Sequence, residues 1–375
     1  MVFIPQIGGK LKVSPKVEFS PTKSKYFFQM YFKLCTLVTV LKRLKKYILI
    51  VLLGTSFVQA QDIHFSQFYF SPLSLNPANT GNFLGDYRIA MNYRSQWREI
   101  QKAYRTISLS GEANIYPKNQ QTSIGLYFLN DKSGGNLIVN KIYASGAFHK
   151  KLAGVNLHLG IQPGIVLKSI DFNAHTFPNQ LNWDKGQFDN SLNNYETNVN
   201  QKTTYFDLNA GAGASARISK FEAGLYFAMF HITKPRETFI KNDNHLKVRK
   251  LFNFDAKYYL NQKFTLNLYT MLNATTKASD WVTGFNVDYN LNKTPFFTNA
   301  VFVGFMWRDG LKRISDAGIV TAGLKYKNYT AGVSYDINIS TLHTATEYRG
   351  AIEFALIYTS KNTRLVKKQI PCDRY

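Results

Sequence analysis

The stretch "YRIAMNYRSQW", Tyr87 to Trp97, alternates two kinds of side chain with a period of two. In an extended chain Tyr87, Ile89, Met91 and Tyr93 point one way, while Arg88, Asn92 and Arg94 point the other. A soluble strand hides such an apolar face in a core. A membrane-spanning strand turns it to lipid and its polar face to a lumen. The rest of the chain decides between the two, because the pattern recurs in "TSIGLYFLN", "GVNLHLGIQ", "FEAGLYFAMF", "WVTGFNVDYN" and "GAIEFALIY".

Fourteen such segments begin near residues 87, 104, 121, 140, 154, 204, 221, 247, 263, 280, 298, 315, 329 and 348. An even number brings both ends of a closed bacterial barrel to one side. The connections also sort by parity. Even-numbered ones are short, as in "YPKNQ", "KKLA", "ISK" and "KNY". Odd-numbered ones include "DKSGGNLIVN", the Asn-rich run from Asp171 to Lys202, "TKPRETFIKNDNHL" and "INISTLHTATE". A soluble β-sandwich has no reason to segregate its loops this way, and one of this length would need two cores and a linker between them. The expected fold is all-β: a transmembrane antiparallel barrel of about 14 strands over residues 87–360. Its closure pairs every backbone amide and carbonyl, as a bilayer demands.

Upstream, "YILIVLLGTSFVQA" follows the basic cluster "KRLKK" and ends in Val58-Gln59-Ala60. A basic region, a short apolar run and small residues before a cut describe a secretory signal peptide. The run is too short for a comfortable helical span of roughly 20 residues. Residues 1–60 therefore read as a presequence, with Met30 as an alternative start and Gln61 as the first residue of the exported chain. Residues 61–86 form an N-terminal periplasmic or lumenal segment, and residues 361–375 a periplasmic tail. The destination implied is the outer membrane.

The formal net charge is +23; ten basic and one acidic residue fall in 1–60, which leaves +14 from residue 61 onward. That excess is scattered, with no basic block, zinc pattern or basic helix, so nucleic acid is excluded as a partner. A diffuse positive surface suits anionic lipid. Cys35 lies in the presequence, so Cys372 is left without an internal disulfide partner. Tyr and Phe number 23 and 29, far above an ordinary soluble domain of this size.

Directly behind the cut lies "DIHFSQFYFSPLSLNPANTG", Asp62 to Gly81. A 14-stranded barrel is wider than side chains alone fill. Phe65, Phe68, Tyr69 and Phe70 are therefore expected to anchor this segment in the barrel mouth, with Pro72 and Pro77 holding it extended. A periplasmic docking strip for a partner and a loosely packed, solvent-exposed leader are the other readings. The segment followed by "YRIAMNYRSQW" resembles the opening of the PorP/SprF family of type IX secretion membrane proteins from Bacteroidetes, in its "HFSQFY", "LNPANTG" and "YRSQW". A second match is "SYDINIS", "EYRGAIEFALIY" and the terminal "IPCDRY", where Asp373 replaces a proline common in the family.

The resemblance covers residues 61–375. It implies an outer-membrane barrel that works with type IX secretion and gliding machinery. Such a barrel holds secreted cargo or an adhesin bearing a C-terminal sorting domain at the surface, and it connects to periplasmic, peptidoglycan-linked proteins. The motif positions that carry a plug or docking role are His64, Phe65, Gln67, Phe68, Tyr69, Asn76 and Pro77. A purely structural use suits His64, since an imidazole can hydrogen-bond backbone or carboxylate at a rim. Arg88 and Arg94, on the inner face and paired with Glu112 or Asp86, are expected to brace the segment or to line a cation-repelling lumen. In the loop 171–203, Trp183, Phe188 and Tyr195 are candidate cargo contacts.

Catalytic patterns are missing. Seven histidines lie far apart in sequence, with no metal-ligand spacing, no G-x-S-x-G and no phosphate loop. Asp171, Asp184 and Asp189 match no calcium-loop spacing. "NAGAGASA" reads as a strand whose small residues face the lumen or a close neighbour. No cofactor, metal or catalytic residue is assigned. The function expected is a non-enzymatic anchor and assembly barrel, with an outer-membrane porin or solute channel as the alternative.

Overall fold

The computed structural model describes residues 64–363, apart from 99–102, 134–135, 171–177, 190, 194–200, 240–242, 276–278, 294–297, 312–314 and 342. The presequence, Tyr195, Asp171 and most of the tail lie outside the described residues. Fourteen strands close into one antiparallel barrel. They are β1 (Tyr87–Gln96), β2 (Tyr104–Ile115), β3 (Gln121–Ser133), β4 (Leu137–Leu152), β5 (Val155–Ile170), β6 (Lys202–Ile218) and β7 (Phe221–Phe230), followed by β8 (Arg249–Tyr259), β9 (Phe264–Ala274), β10 (Ser279–Lys293), β11 (Thr298–Asp309), β12 (Ala317–Tyr326), β13 (Tyr329–Asn338) and β14 (Arg349–Thr359). Each strand pairs with its sequence neighbours, and β14 returns to β1. Their starts fall within three residues of those read from the sequence.

The alternation does what it promises. On β2, Ile107 and Leu109 face out while Thr106, Ser108, Ser110 and Glu112 are buried inside. Leu126 and Val303 each leave 65% of their surface uncovered. In water a continuous belt of this kind would aggregate; against acyl chains it is at home. Tyr87, Tyr329 and Tyr358 form one aromatic cluster, with ring centroids 5.8 and 5.0 Å apart. Trp281 and Trp307 face out near the opposite end. Rings at both boundaries of an apolar band are the girdles of a membrane barrel. No helix among the described residues is long and apolar enough to cross a membrane, which says nothing of strands.

Short turns gather where Tyr87 and Thr359 lie. One is the two-residue turn Ala153-Gly154, with φ of 48° and 88°, a pairing that fits the twist of a tight hairpin. The longest connections, 171–201 and 231–248, lie at the other end. Connections 134–136 and 275–278 are short exceptions to the parity.

Two expectations need correction. The lumen is not uniformly hydrophilic. Phe230, Leu251, Met271, Val282, Met306 and Ile319, from β7 to β12, bury an apolar sector inside it. The N-terminal segment is also not extended. Phe68–Phe70, Pro72–Leu75 and Pro77–Asn79 form three successive helical turns. Both prolines open such a turn, where a fixed φ and a missing N–H cost nothing. The Asn76 side chain caps the third by accepting from Ala78 N at 2.8 Å.

Candidate functional site

The segment from His64 to Asp86 lies inside the barrel and runs along it. Phe65 to Ser71 face the half near the long loops, and Gly85 and Asp86 reach the short-turn rim beside Ser360. From Phe65 to Gly81 only Tyr69 and Ser74 are more than marginally exposed. The segment is thus neither a loose solvated leader nor confined to the mouth.

Strand β1 holds it at two levels. Arg88 stands directly across from Glu112 of β2, and Arg94 directly across from Glu353 of β14. At the lower level one Glu112 oxygen accepts from Arg88 Nε and the other from the Gly81 amide, each at 2.7 Å. Arg88 also stacks over the Phe83 ring, 4.5 Å from its centroid. At the upper level the two oxygens of Glu353 accept from the successive amides of Ser66 and Gln67, at 2.7 and 2.9 Å, and Arg94 Nη1 also donates to this carboxylate. Between the two levels Asn92 donates to Phe70 O at 3.2 Å.

The upper clamp is wider than one pair. Arg308 of β11 and Asp336 of β13 join it: Arg308 donates to Asp336 at 3.0 Å, and Arg94 donates to Asp336 at 3.1 Å. Ser66 Oγ donates to Asp336 at 2.7 Å and accepts from both arginines. Two cations and two anions thus close around one serine. Buried charges persist only when paired in this way. Arg94 pairs with Glu353 and Asp336 rather than with Glu112 or Asp86, as the sequence had suggested.

Apolar and amide contacts fill the middle. Phe68 and Leu75 enter the apolar sector of the lumen, Leu73 packs among Tyr127, Leu129, Tyr143 and Val166, and Phe70 meets Phe302 and Ala355. Tyr69 stacks on Tyr269 at 4.3 Å and 9°, and Asn286 donates to its hydroxyl at 2.9 Å. Gln67 is fully buried against Gly332, where a Cβ would lie 2.6 Å from its Oε1. Asn76 donates to Phe227 O at 2.9 Å. Its approach, with that of Pro77, is close enough that a Cβ on Gly160 or Gly211 would overlap it. Gly211 belongs to "NAGAGASA", so its small size serves close packing.

The histidines are not all apart. His149 and His158 stand across from each other on β4 and β5, with Nδ1 atoms 2.7 Å apart. His149 Nε2 donates to Thr80 O at 2.7 Å, so a neutral His149 accepts at Nδ1 from His158, whose Nε2 lies 3.0 Å from Ser215 Oγ. The pair is a hydrogen-bond relay on the segment. His64 Nδ1 lies 3.9 Å from Asp280. No group of three or more metal-ligating side chains occurs among the described residues.

Beneath the segment, at the short-turn end, opens a cavity of about 1050 Å³ lined by Arg88, Lys150, Lys151, Arg217, Lys257 and Glu222 among others. At the other end Trp183 and Phe188 are exposed on a small hairpin in which Leu181 pairs with Phe188. Beside it the Ser191 hydroxyl and amide hold the Asp189 carboxyl below the ordinary carboxylate range. The partners sequence reasoning missed are Arg308 and Asp336. Their signal was a charge at an inner position of an alternating strand.

A family model described as "Type IX secretion system membrane protein PorP/SprF" matches residues 57–358. No curated protein matches. Among solved structures, the chain is similar to the Ralstonia pickettii toluene transporter TbuX (8% identity, 82% of this chain and 95% of that one, TM-score 0.44). It is also similar to a Pseudomonas aeruginosa FadL homologue (11%, 76% and 92%, 0.43) and to a Rhodopseudomonas blastica porin (10%, 74% and 99%, 0.33). Likenesses this distant bear on neither ligand nor mechanism. The family match spans most of the chain, and the chain belongs to the PorP/SprF family of type IX secretion system membrane proteins.

Proposed function

We propose that this outer-membrane barrel is a closed anchor: residues 64–86 are a resident plug, and the protein holds type IX cargo at the surface instead of passing solutes. One observation carries the reading. Glu112 and Glu353 each spend a buried carboxylate on backbone amides of the segment, and each is neutralised by an arginine of β1. A segment meant to leave the lumen readily would not commit three of its backbone amides to buried carboxylates. The alternative of a porin or solute channel fits poorly with a lumen filled by helical turns.

The plug is retained from an exported chain cut after Ala60, which leaves Gln61 to Ile63 ahead of His64. Cargo bearing a C-terminal sorting domain is held by the long loops, with Trp183, Phe188 and Tyr195 as contacts. Periplasmic, peptidoglycan-linked components meet the short-turn end, where the basic cavity faces them. The protein performs no catalysis. Planar-bilayer recording of the purified barrel tests the plug: wild type is expected to stay nearly closed, and steady porin-like conductance would refute it. Pull-down from solubilised outer membranes tests the anchor; recovery of the barrel without any secreted protein would count against it.

A further inference from the structure

On the outer wall, near the long-loop end, Arg105 of β2 stands directly across from Lys132 of β3. Both side chains are exposed, and on the same outer face Ile107 and Asn130, then Leu109 and Phe128, follow them along the strands. Like charges placed opposite each other on one sheet face repel. A third cation joins them. Ser95 of β1 pairs with Arg105, and the exposed Arg98 donates from Nε to Ser95 Oγ at 2.9 Å. Neighbouring strands lie roughly 4.8 Å apart, so the three side chains spring from positions spanning about 10 Å. None of the three makes an ion pair with a carboxylate among the described residues. On either side the row ends in an isoleucine, Ile352 of β14 beside Ser95 and Ile138 of β4 beside Lys132.

The depth of the row is informative. Along β1 the outward register runs from Tyr87, in the lower aromatic cluster, through Ile89, Met91 and Tyr93 to Ser95, which is itself buried. Eight residues rise roughly 27 Å along the strand, or about 21 Å along the axis at a tilt near 40°. The apolar band of such barrels is about 25 Å tall. The three cations therefore stand where hydrocarbon gives way to headgroups, in the leaflet on the long-loop side. A charge facing lipid is tolerated at that level and costly deeper.

We propose that Arg98, Arg105 and Lys132 form a binding site for the phosphate of an outer-leaflet glycolipid. The phosphate bridges the Arg105–Lys132 pair, converting a repulsive contact into two charge-assisted ones, and Arg98 closes the third side. The sugar lies against the loops while the acyl chains run down over Ile107 and Phe128. The site rests on the membrane orientation given above but not on the plug or the anchoring role.

The test uses the full barrel in nanodiscs of phosphatidylcholine doped with monophosphorylated lipid A, with its dephosphorylated form in a parallel set. Native mass spectrometry counts retained lipid. Wild type is expected to retain the phosphorylated form preferentially, and Arg105→Gln with Lys132→Gln to lose that preference by roughly tenfold or more. Lys250→Gln, which removes a lone outward cation of β8, is expected to change nothing. Heat-modifiable gel mobility checks that each variant is folded. Equal retention of both lipids by wild type, or equal retention by wild type and the double variant, would overturn the site. So would competition by millimolar inorganic phosphate, which would assign it to a free anion.

Discussion

Replacing Glu353 by Gln tests the plug most directly. The side chain keeps its shape but loses its charge and one of two acceptor oxygens. Two amide bonds, at 2.7 and 2.9 Å, and the contact with Arg94 depend on that carboxylate. A hydrogen bond to a charged group contributes about 1.5–3 kcal/mol, and breaking a buried pair costs about 3–5 kcal/mol because the surviving charge is stranded. Arg94 and Glu353 both belong to barrel strands, so only the two amide bonds bear on seating; their weakening is expected to cost about 3 kcal/mol, roughly a hundredfold in the seated-to-released ratio. The assay is single-channel recording in planar bilayers, with barrel folding followed by gel mobility. Release is expected to appear as brief openings that wild type lacks. Arg94→Met should open the channel to a similar degree. The double variant Arg94→Met with Glu353→Met should be milder than the sum of its singles, because it leaves no orphaned partner. Equal silence in wild type and Glu353→Gln, in barrels shown to be folded, would refute the clamp.

Three further outcomes follow from the same geometry. Gly160→Val or Gly211→Val places atoms where Pro77 and Asn76 already lie, so the strand should form while the segment is displaced; bilayer conductance should rise, and an unchanged closed state would contradict the close packing. Leu73→Ala removes a fully buried side chain packed among Tyr127, Leu129, Tyr143 and Val166, a change expected to cost about 2–5 kcal/mol and to speed protease cutting of the segment. Trp183→Ala with Phe188→Ala should leave thermal stability within about 0.5 kcal/mol, since both are exposed, yet reduce cargo recovery in pull-downs several-fold; undiminished recovery would remove this hairpin from the contact surface.

The strands were legible because period-two alternation is a local property. "YRIAMNYRSQW" announces β1 within one ribbon, and a closed barrel follows from repeating it an even number of times. What the sequence withheld is how distant elements meet. Arg308 and Asp336 belong to β11 and β13, with β12 between them, and they reach Arg94 of β1 over the inner face of β14 and meet Ser66 of the segment there. No local pattern encodes such a meeting. The apolar lumenal sector was missed for another reason. In "FEAGLYFAMF" both faces are apolar, so Phe230 and Ala228 were hidden behind the outward set. Phe68 and Leu75 already required apolar partners, and inner-face Met271, Met306 and Ile319 could have supplied the answer. The prolines misled because restricted φ suits a helix N-terminus as well as an extended chain; "SPLSLNPAN", with a capping Asn before Pro77, favours the former.

Closing the barrel completes the contacts that hold the segment. β1 and β14 are the first and last strands of the barrel, and the seam between them completes the cylinder. Arg94 and Glu353 face each other across that seam, so the upper clamp does not exist until β14 has docked. The same holds at the lower end, where Ser360 Oγ accepts from the Asp86 and Tyr87 amides at 3.0 and 2.8 Å. Glu112, by contrast, pairs with Arg88 within the β1–β2 hairpin and can grip Gly81 as soon as that hairpin forms. The lower contact thus needs only the β1–β2 hairpin, whereas the upper one needs the closed barrel. An open sheet with an unseated segment would leave Glu353, Asp336 and Arg308 without their full set of partners inside a membrane. A closed but hollow barrel would keep the pairs among Arg94, Arg308, Glu353 and Asp336 yet lose the Ser66 hydroxyl and the Ser66 and Gln67 amides, so these bonds favour the filled barrel over the hollow one.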